Sequence, residues 1–121
     1  MDWIILAITV ALLFAYLFLR RKGQISADLA VAHLKGGALL IDVRTPAEFA
    51  TGHLKGAINI PLQEIDSRID GYVKDKNQVL LVHCQSGQRS GMAQNRLTAL
   101  GYTRAYNLGS YDRAAHIIGR A

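Results

Sequence analysis

The sequence predicts an α/β fold: a parallel sheet with helices on both faces, preceded by one transmembrane helix. Three observations carry this. Short apolar runs, ALLIDV (38–43), AINI (57–60), QVLLVHC (78–84) and RAYNL (104–108), alternate with segments of helical spacing. ALLIDV, a continuous apolar run with an acid near its end, reads as a strand buried on both faces, and QVLLVHC is the most apolar of the runs. Ahead of all of them, residues 3–19 form an unbroken apolar stretch.

That first stretch, WIILAITVALLFAYLFL, carries no charge, and Thr9 is its one plainly polar residue. As a helix at about 1.5 Å per residue it is about 25 Å long, enough to cross a bilayer when flanking stems reach the headgroups. Arg20, Arg21 and Lys22 follow at once and supply that snorkelling, while Trp3 and Tyr16 suit the interfaces. A secretory signal would begin with positive charge and end at a small-residue cleavage site. This stretch begins Met-Asp-Trp and carries its cations on the far side. The expected organisation is therefore an anchor with a basic flank at 1–22 and one domain at 23–121. The cation excess after the span orients the domain to the cytoplasmic side of the inner (plasma) membrane. A single cysteine, unable to form an internal disulfide, agrees with a reducing compartment. The net charge of +5 comes without any long basic run in the domain, so nucleic acid is excluded as a partner.

The later elements follow from local signals. SADLAVAHLKGG reads as a helix with Ser26 as N-cap and a glycine pair as its stop, with apolar residues at 29, 30 or 31, and 34. Thr45, Pro46 and Glu48 form a helix start with a capping box. Pro61 stops AINI, LQEIDSRIDGY is helical, and SGMAQNRLTALG (90–101) is a helix opened by Ser90 and closed by Gly101. YDRAAHIIG is a short final helix.

Parallel sheets place ligand sites at the carboxyl ends of their strands. Cys84 stands there, followed by Gln85, Ser86, Gly87, Gln88 and Arg89, with Ser90 opening the helix. A thiolate is the nucleophile, and the unpaired N–H groups of a helix start favour an anion. Gly87 lets the backbone fold so that amides point inward, and Arg89 offers a charged donor fork. A buried structural cysteine would not need so polar a surround, so Cys84 reads as a nucleophile. His83, ending an apolar strand, reads instead as a hydrogen-bonded core residue. No metal ligand set is present in the pattern.

Taken together, LLIDVRTPAEFATGHLKGAINIPL and VLLVHCQSGQRSGMAQNRLTALGY resemble a single-domain rhodanese, across roughly residues 24–118. The resemblance implies the rhodanese α/β fold and sulfurtransferase chemistry through a persulfide on Cys84, with no cofactor. It also implies a small sulfur donor of the thiosulfate type and a thiol acceptor, or cyanide in the test tube. A protein acceptor at the membrane is compatible with it. Asp42 and Arg44 match the family's Asp-x-Arg and are expected to form a strand-end ion pair or helix-cap contact in support of the site. His53 matches a position read as structural. Phosphatases with a related loop place five residues between cysteine and arginine; here there are four, Gln85 to Gln88, which narrows the cradle. The loop also has no acid to protonate a leaving alkoxide. Both points favour sulfur over phosphate. One departure stands out: Gly109-Ser110 replaces the family's Gly-Gly pair and no tryptophan follows, which bears on substrate selection. The competing expectation is a non-turnover module that senses redox state or sulfur supply and recruits a partner at the membrane.

Overall fold

The computed structural model describes residues 1–121 apart from the side chains of residues 20–22. The snorkelling expected of Arg20, Arg21 and Lys22 thus lies outside the described residues. Helix α1 (Asp2–Lys22) contains the apolar stretch, and Asp2–Leu19 is long and apolar enough to cross a membrane, with none of it buried against the rest of the chain.

The domain then alternates helix and strand: α2 (Ala27–Lys35), β1 (Leu39–Asp42), α3 (Pro46–Thr51), β2 (Ile58–Asn59), α4 (Ile65–Tyr72), β3 (Leu80–His83), α5 (Gln88–Ala99), β4 (Ala105–Gly109) and α6 (Tyr111–Arg120). The strands form one four-stranded parallel sheet, as the alternation predicts, and their order is β2-β1-β3-β4. Beyond β4 the chain just after α1 joins the edge: Gln24 bridges Asn107 in parallel, and the Ile25 N–H donates to the Asn107 carbonyl at 3.0 Å.

Side chains on β3 alternate between two cores, which is why its sequence is apolar at nearly every position. Leu80, Val82 and Cys84 enter one core with Ile65, Ile69, Ala93 and Leu97 from α4 and α5. Leu81 enters the other, with Ala30, Val31, Ala114 and Ile117 from α2 and α6. Tyr102 is the largest fully buried side chain among the described residues, and its hydroxyl donates to the Val73 carbonyl at 2.7 Å, tying the turn before β4 to the end of α4.

The local signals for helix starts hold. Ser26 accepts from the Leu29 N–H, and Thr45 and Glu48 form both halves of the capping box. Three details differ. Leu29 is solvent-exposed, because α2 turns Ala30 and Val31 inward instead. AINI shortens to a two-residue edge strand, Ile58–Asn59, just ahead of Pro61. Helix α5 begins at Gln88, two residues before Ser90, because Gly87 takes the left-handed conformation (φ 94°) and caps it.

Replacing Tyr102 by Phe leaves the buried Val73 carbonyl without this donor. We expect a loss of about 1–2 kcal/mol of unfolding free energy, read from urea denaturation of the full chain in detergent.

Candidate active site

Cys84 directly follows β3, and its side chain is fully buried near the start of α5. The left-handed Gly87 turns the loop back on the sulfur, so that its N–H donates to Cys84 Sγ at 3.0 Å. The Ser90 hydroxyl lies 3.5 Å from Sγ on the first turn of the helix. Burial pushes the Cys84 thiol up. The Ser90 hydroxyl and the amides of Ser90, Gly87 and Ser86 act against it, and the net result is a thiol below its ordinary value.

The Ser90 hydroxyl also reaches the Gly87 carbonyl at 3.1 Å. With one hydrogen it serves one acceptor at a time. When it turns to a thiolate, the Gly87 carbonyl keeps the Asn107 amide, which donates at 3.2 Å. The loop is fastened from β4 and α6 as well. The Cys84 N–H donates to the Gly109 carbonyl at 3.3 Å and the Tyr111 N–H to the Gln85 carbonyl at 3.2 Å, while Ser86 bridges Ser110. Gln85, Ser86 and Gln88 face solvent at the rim.

Arg89 does not present the free donor fork that its position in the loop suggests. Its two terminal nitrogens hold both oxygens of Glu48, at 2.6 and 3.0 Å, in a bidentate pair. The Arg89 bonds, with the Thr45 amide, lower the Glu48 carboxyl to about 2 from its ordinary 4.5. Arg89 therefore fastens α5 to the capping box of α3, and the anion cradle around Cys84 is made of neutral dipoles.

Asp42 and Arg44 form the expected strand-end ion pair, fully desolvated, at 2.8 Å. Asp42 also accepts from the Arg44 backbone N–H at 2.9 Å, and Arg44 donates to the Gly52 carbonyl at 2.7 Å. The pair reaches the loop: Arg44 Nη1 lies 3.4 Å from Gln85 Oε1, and the guanidinium stacks on Tyr111, 4.8 Å from its centroid. His83 sits beneath. Burial is the largest influence on its ring and pushes its pKa down despite Asp42 nearby, so it stays neutral. Its Nε2 has no hydrogen-bond partner among the described residues and stands 3.8 Å from Asp42 Oδ2. His83 is a packed core residue, as its place in the strand suggests. His53 is structural too, stacked on Phe49 at 3.8 Å. Among the described residues, no three His, Cys, Asp or Glu side chains gather as a metal site.

Residues 26–115 match the model of the Rhodanese-like domain. The chain belongs to the rhodanese family. Among curated relatives, the thiosulfate sulfurtransferase PspE of Escherichia coli is 46% identical over 57% of this chain and 66% of its own length. A sulfurtransferase of Allochromatium vinosum is 41% identical over 58% and 64%. The rhodanese domain here thus spans less than two thirds of the length of these relatives. Among solved structures, a rhodanese with anions from E. coli superposes with a TM-score of 0.62 at 42% identity, covering 64% of this chain and 91% of that one. The human single-domain sulfurtransferase TSTD1 gives 0.65 at 30% identity, covering 78% and 96%.

Three contributors to the site escape a reading of the sequence. Glu48 is fully accounted for there as a capping residue, and its pairing with Arg89, 41 positions on, has no local signal. Asn107 and Tyr111 come to the loop only through the packing of β4 and α6.

The sign of the Glu48 effect is fixed by its lowered pKa. A carboxyl held below its unfolded value stabilises the fold above that value, and the stabilisation is lost as pH falls toward the folded one. The melting-temperature difference between the wild type and Glu48→Gln should be constant above about pH 5. It should shrink as pH falls from 4.5 toward about 2, as measured by thermal unfolding.

Proposed function

We propose that this chain is a membrane-anchored sulfurtransferase. It takes a sulfane sulfur from a donor such as thiosulfate onto Cys84 and passes it to a thiol, or to cyanide in an assay. The observation that carries the reading is the cradle at Cys84: a buried sulfur that accepts an amide N–H at 3.0 Å, beside a helix start and a serine hydroxyl. Kinship with the thiosulfate sulfurtransferase PspE and the human sulfurtransferase TSTD1 supports it. So does the apolar character of α1, with residues 3–19 as the span; the cytoplasmic side for the domain rests in this reading on the cations at 20–22.

In the first half-reaction the Cys84 thiolate attacks the outer sulfur of thiosulfate. The new S–S bond forms as the sulfur–sulfur bond of the donor breaks, and sulfite leaves with the electron pair. Cys84 then carries a persulfide whose negative charge sits on the terminal sulfur, about 2 Å beyond Sγ, at the same helix start that favoured the thiolate. In the second half-reaction an acceptor thiol attacks the terminal sulfur, Cys84 leaves as thiolate, and the acceptor departs as a persulfide. No group in the loop has to move a proton to a poor leaving group, which suits a site without an acid. In this reading Gln85, Ser86 and Gln88 form the rim that the donor meets, Gly87 and Ser90 hold the anion, and Arg89 holds the loop through Glu48. Asp42 and Arg44 support Gln85 from below.

Steady-state assays on the full chain in detergent test this. Parallel double-reciprocal plots for donor and acceptor are expected from a covalent intermediate. Cys84→Ser should abolish turnover. Ser90→Ala should slow it about tenfold, from loss of one hydrogen bond to a charged sulfur. Turnover that survives Cys84→Ser, or hydrolysis of an aryl phosphate, would overturn the proposal.

A further inference from the structure

The connection between α1 and the domain has no slack. Helix α1 ends at Lys22 and Gln24 is already bridged to β4, leaving Gly23 alone between them. Ile25 is held on both sides: its N–H donates to the Asn107 carbonyl at 3.0 Å, and the Arg113 guanidinium donates to the Ile25 carbonyl at 2.5 Å. Ser26 then caps α2.

Gln24 also lies on the active-site loop. A Cβ placed on Gly87 would sit 3.3 Å from Gln24 Nε2, and one placed on Gly109 would sit 3.0 Å from it. The residue that leaves the anchor is therefore packed against the two glycines that shape the cradle. Two residues of fully extended chain span about 7 Å, and the turn from Leu19 to Lys22 adds about 5 Å. However the domain tilts, Gln24 stays within about 12 Å of the end of the apolar stretch. The headgroup layer on one side of a bilayer is itself about 5–7 Å deep.

A cleft of about 700 Å3 separates the end of α1 from the loop. Leu17 and Ile25 line it together with the polar Gln24, Ser26, Ser86, Ser110 and Arg113. A lining that mixes apolar and polar side chains suits a chain that is itself leaving a membrane.

We infer that Cys84 delivers its sulfur to a cysteine thiol on the juxtamembrane segment of a membrane protein. The inference rests on the anchored-sulfurtransferase reading above and adds the acceptor. A freely diffusing thiol has no use for so short a tether. A thiol confined to the same surface gains effective concentration from it, and that gain falls steeply as either tether lengthens. The transfer itself is the second half-reaction: the acceptor sulfur bonds to the terminal sulfur of the Cys84 persulfide, Cys84 leaves as thiolate, and the proton of the acceptor thiol stays on the acceptor persulfide.

The test uses the full chain in liposomes, loaded with thiosulfate. It is paired with a single-span peptide bearing one cysteine about 3 or about 25 residues beyond its span. The near cysteine should gain sulfur about tenfold faster than the far one. A flexible insert of about 20 residues between Lys22 and Gly23 adds about 25 Å of reach and should erase that preference. Transfer to dissolved dithiothreitol should be the same with and without the insert. Equal rates to the near and far cysteines, or a preference that survives the insert, overturn the inference while leaving the sulfurtransferase reading intact. A chain that fails to float with liposomes after an alkaline wash overturns the anchor and this inference together. Floating without loss of sulfur to dithiothreitol condemns the sulfurtransferase reading itself.

Discussion

The left-handed turn at Gly87 is the constraint on which the site depends. It ends the loop in one residue, starts α5, and aims its own N–H at Cys84 Sγ. Its carbonyl is taken up by Asn107 and Ser90, so the turn is satisfied in both directions. A side chain at this position would be strained by its φ of 94° and would meet Gln24 at 3.3 Å. The central strand supplies the rest. Because β3 is buried on both faces, the sulfur at its end is desolvated, and every dipole aimed at it counts for more than it would in water.

The electrostatics of the loop are those of dipoles and not of a free cation. Arg89 spends its fork on Glu48, and the Asp42–Arg44 pair is closed beneath the loop. A cradle of amides and one hydroxyl suits both a thiolate and a persulfide, because both are monoanions and their charges lie only about 2 Å apart. An uncompensated arginine would instead hold dianionic sulfite after it leaves. The proposed preference for sulfur over phosphate draws on two features: a loop with only four residues between Cys84 and Arg89, and an Arg89 guanidinium already held by Glu48.

Much of this was legible in the residues. The alternation of apolar runs with capped helices is a local pattern, and each cap is decided within four residues, so the parallel sheet and its order of elements follow directly. Cys84, Gly87 and Ser90 could be read for the same reason: strand, loop and helix start are adjacent in the chain. The partners of Arg89 could not. Glu48 carries a complete local explanation as the third residue of a capped helix, and only the tertiary fold reveals that the same carboxylate also closes on the loop. Asn107, Tyr111 and Gln24 are equally silent, since nothing near them in sequence signals a contact with the loop around Cys84. The exposure of Leu29 shows the converse limit, where a helical period allowed more than one inward face and packing chose Ala30 and Val31.

The claim that binds these observations is that Cys84 is a carrier of sulfane sulfur. Intact-mass spectrometry of the full chain in detergent, after incubation with thiosulfate and removal of the donor, addresses it directly. A carrier gains the mass of one sulfur atom, loses it on addition of a thiol, and shows no gain as Cys84→Ser. A wild-type mass that stays unchanged, under conditions that load a rhodanese of proven activity, would contradict it.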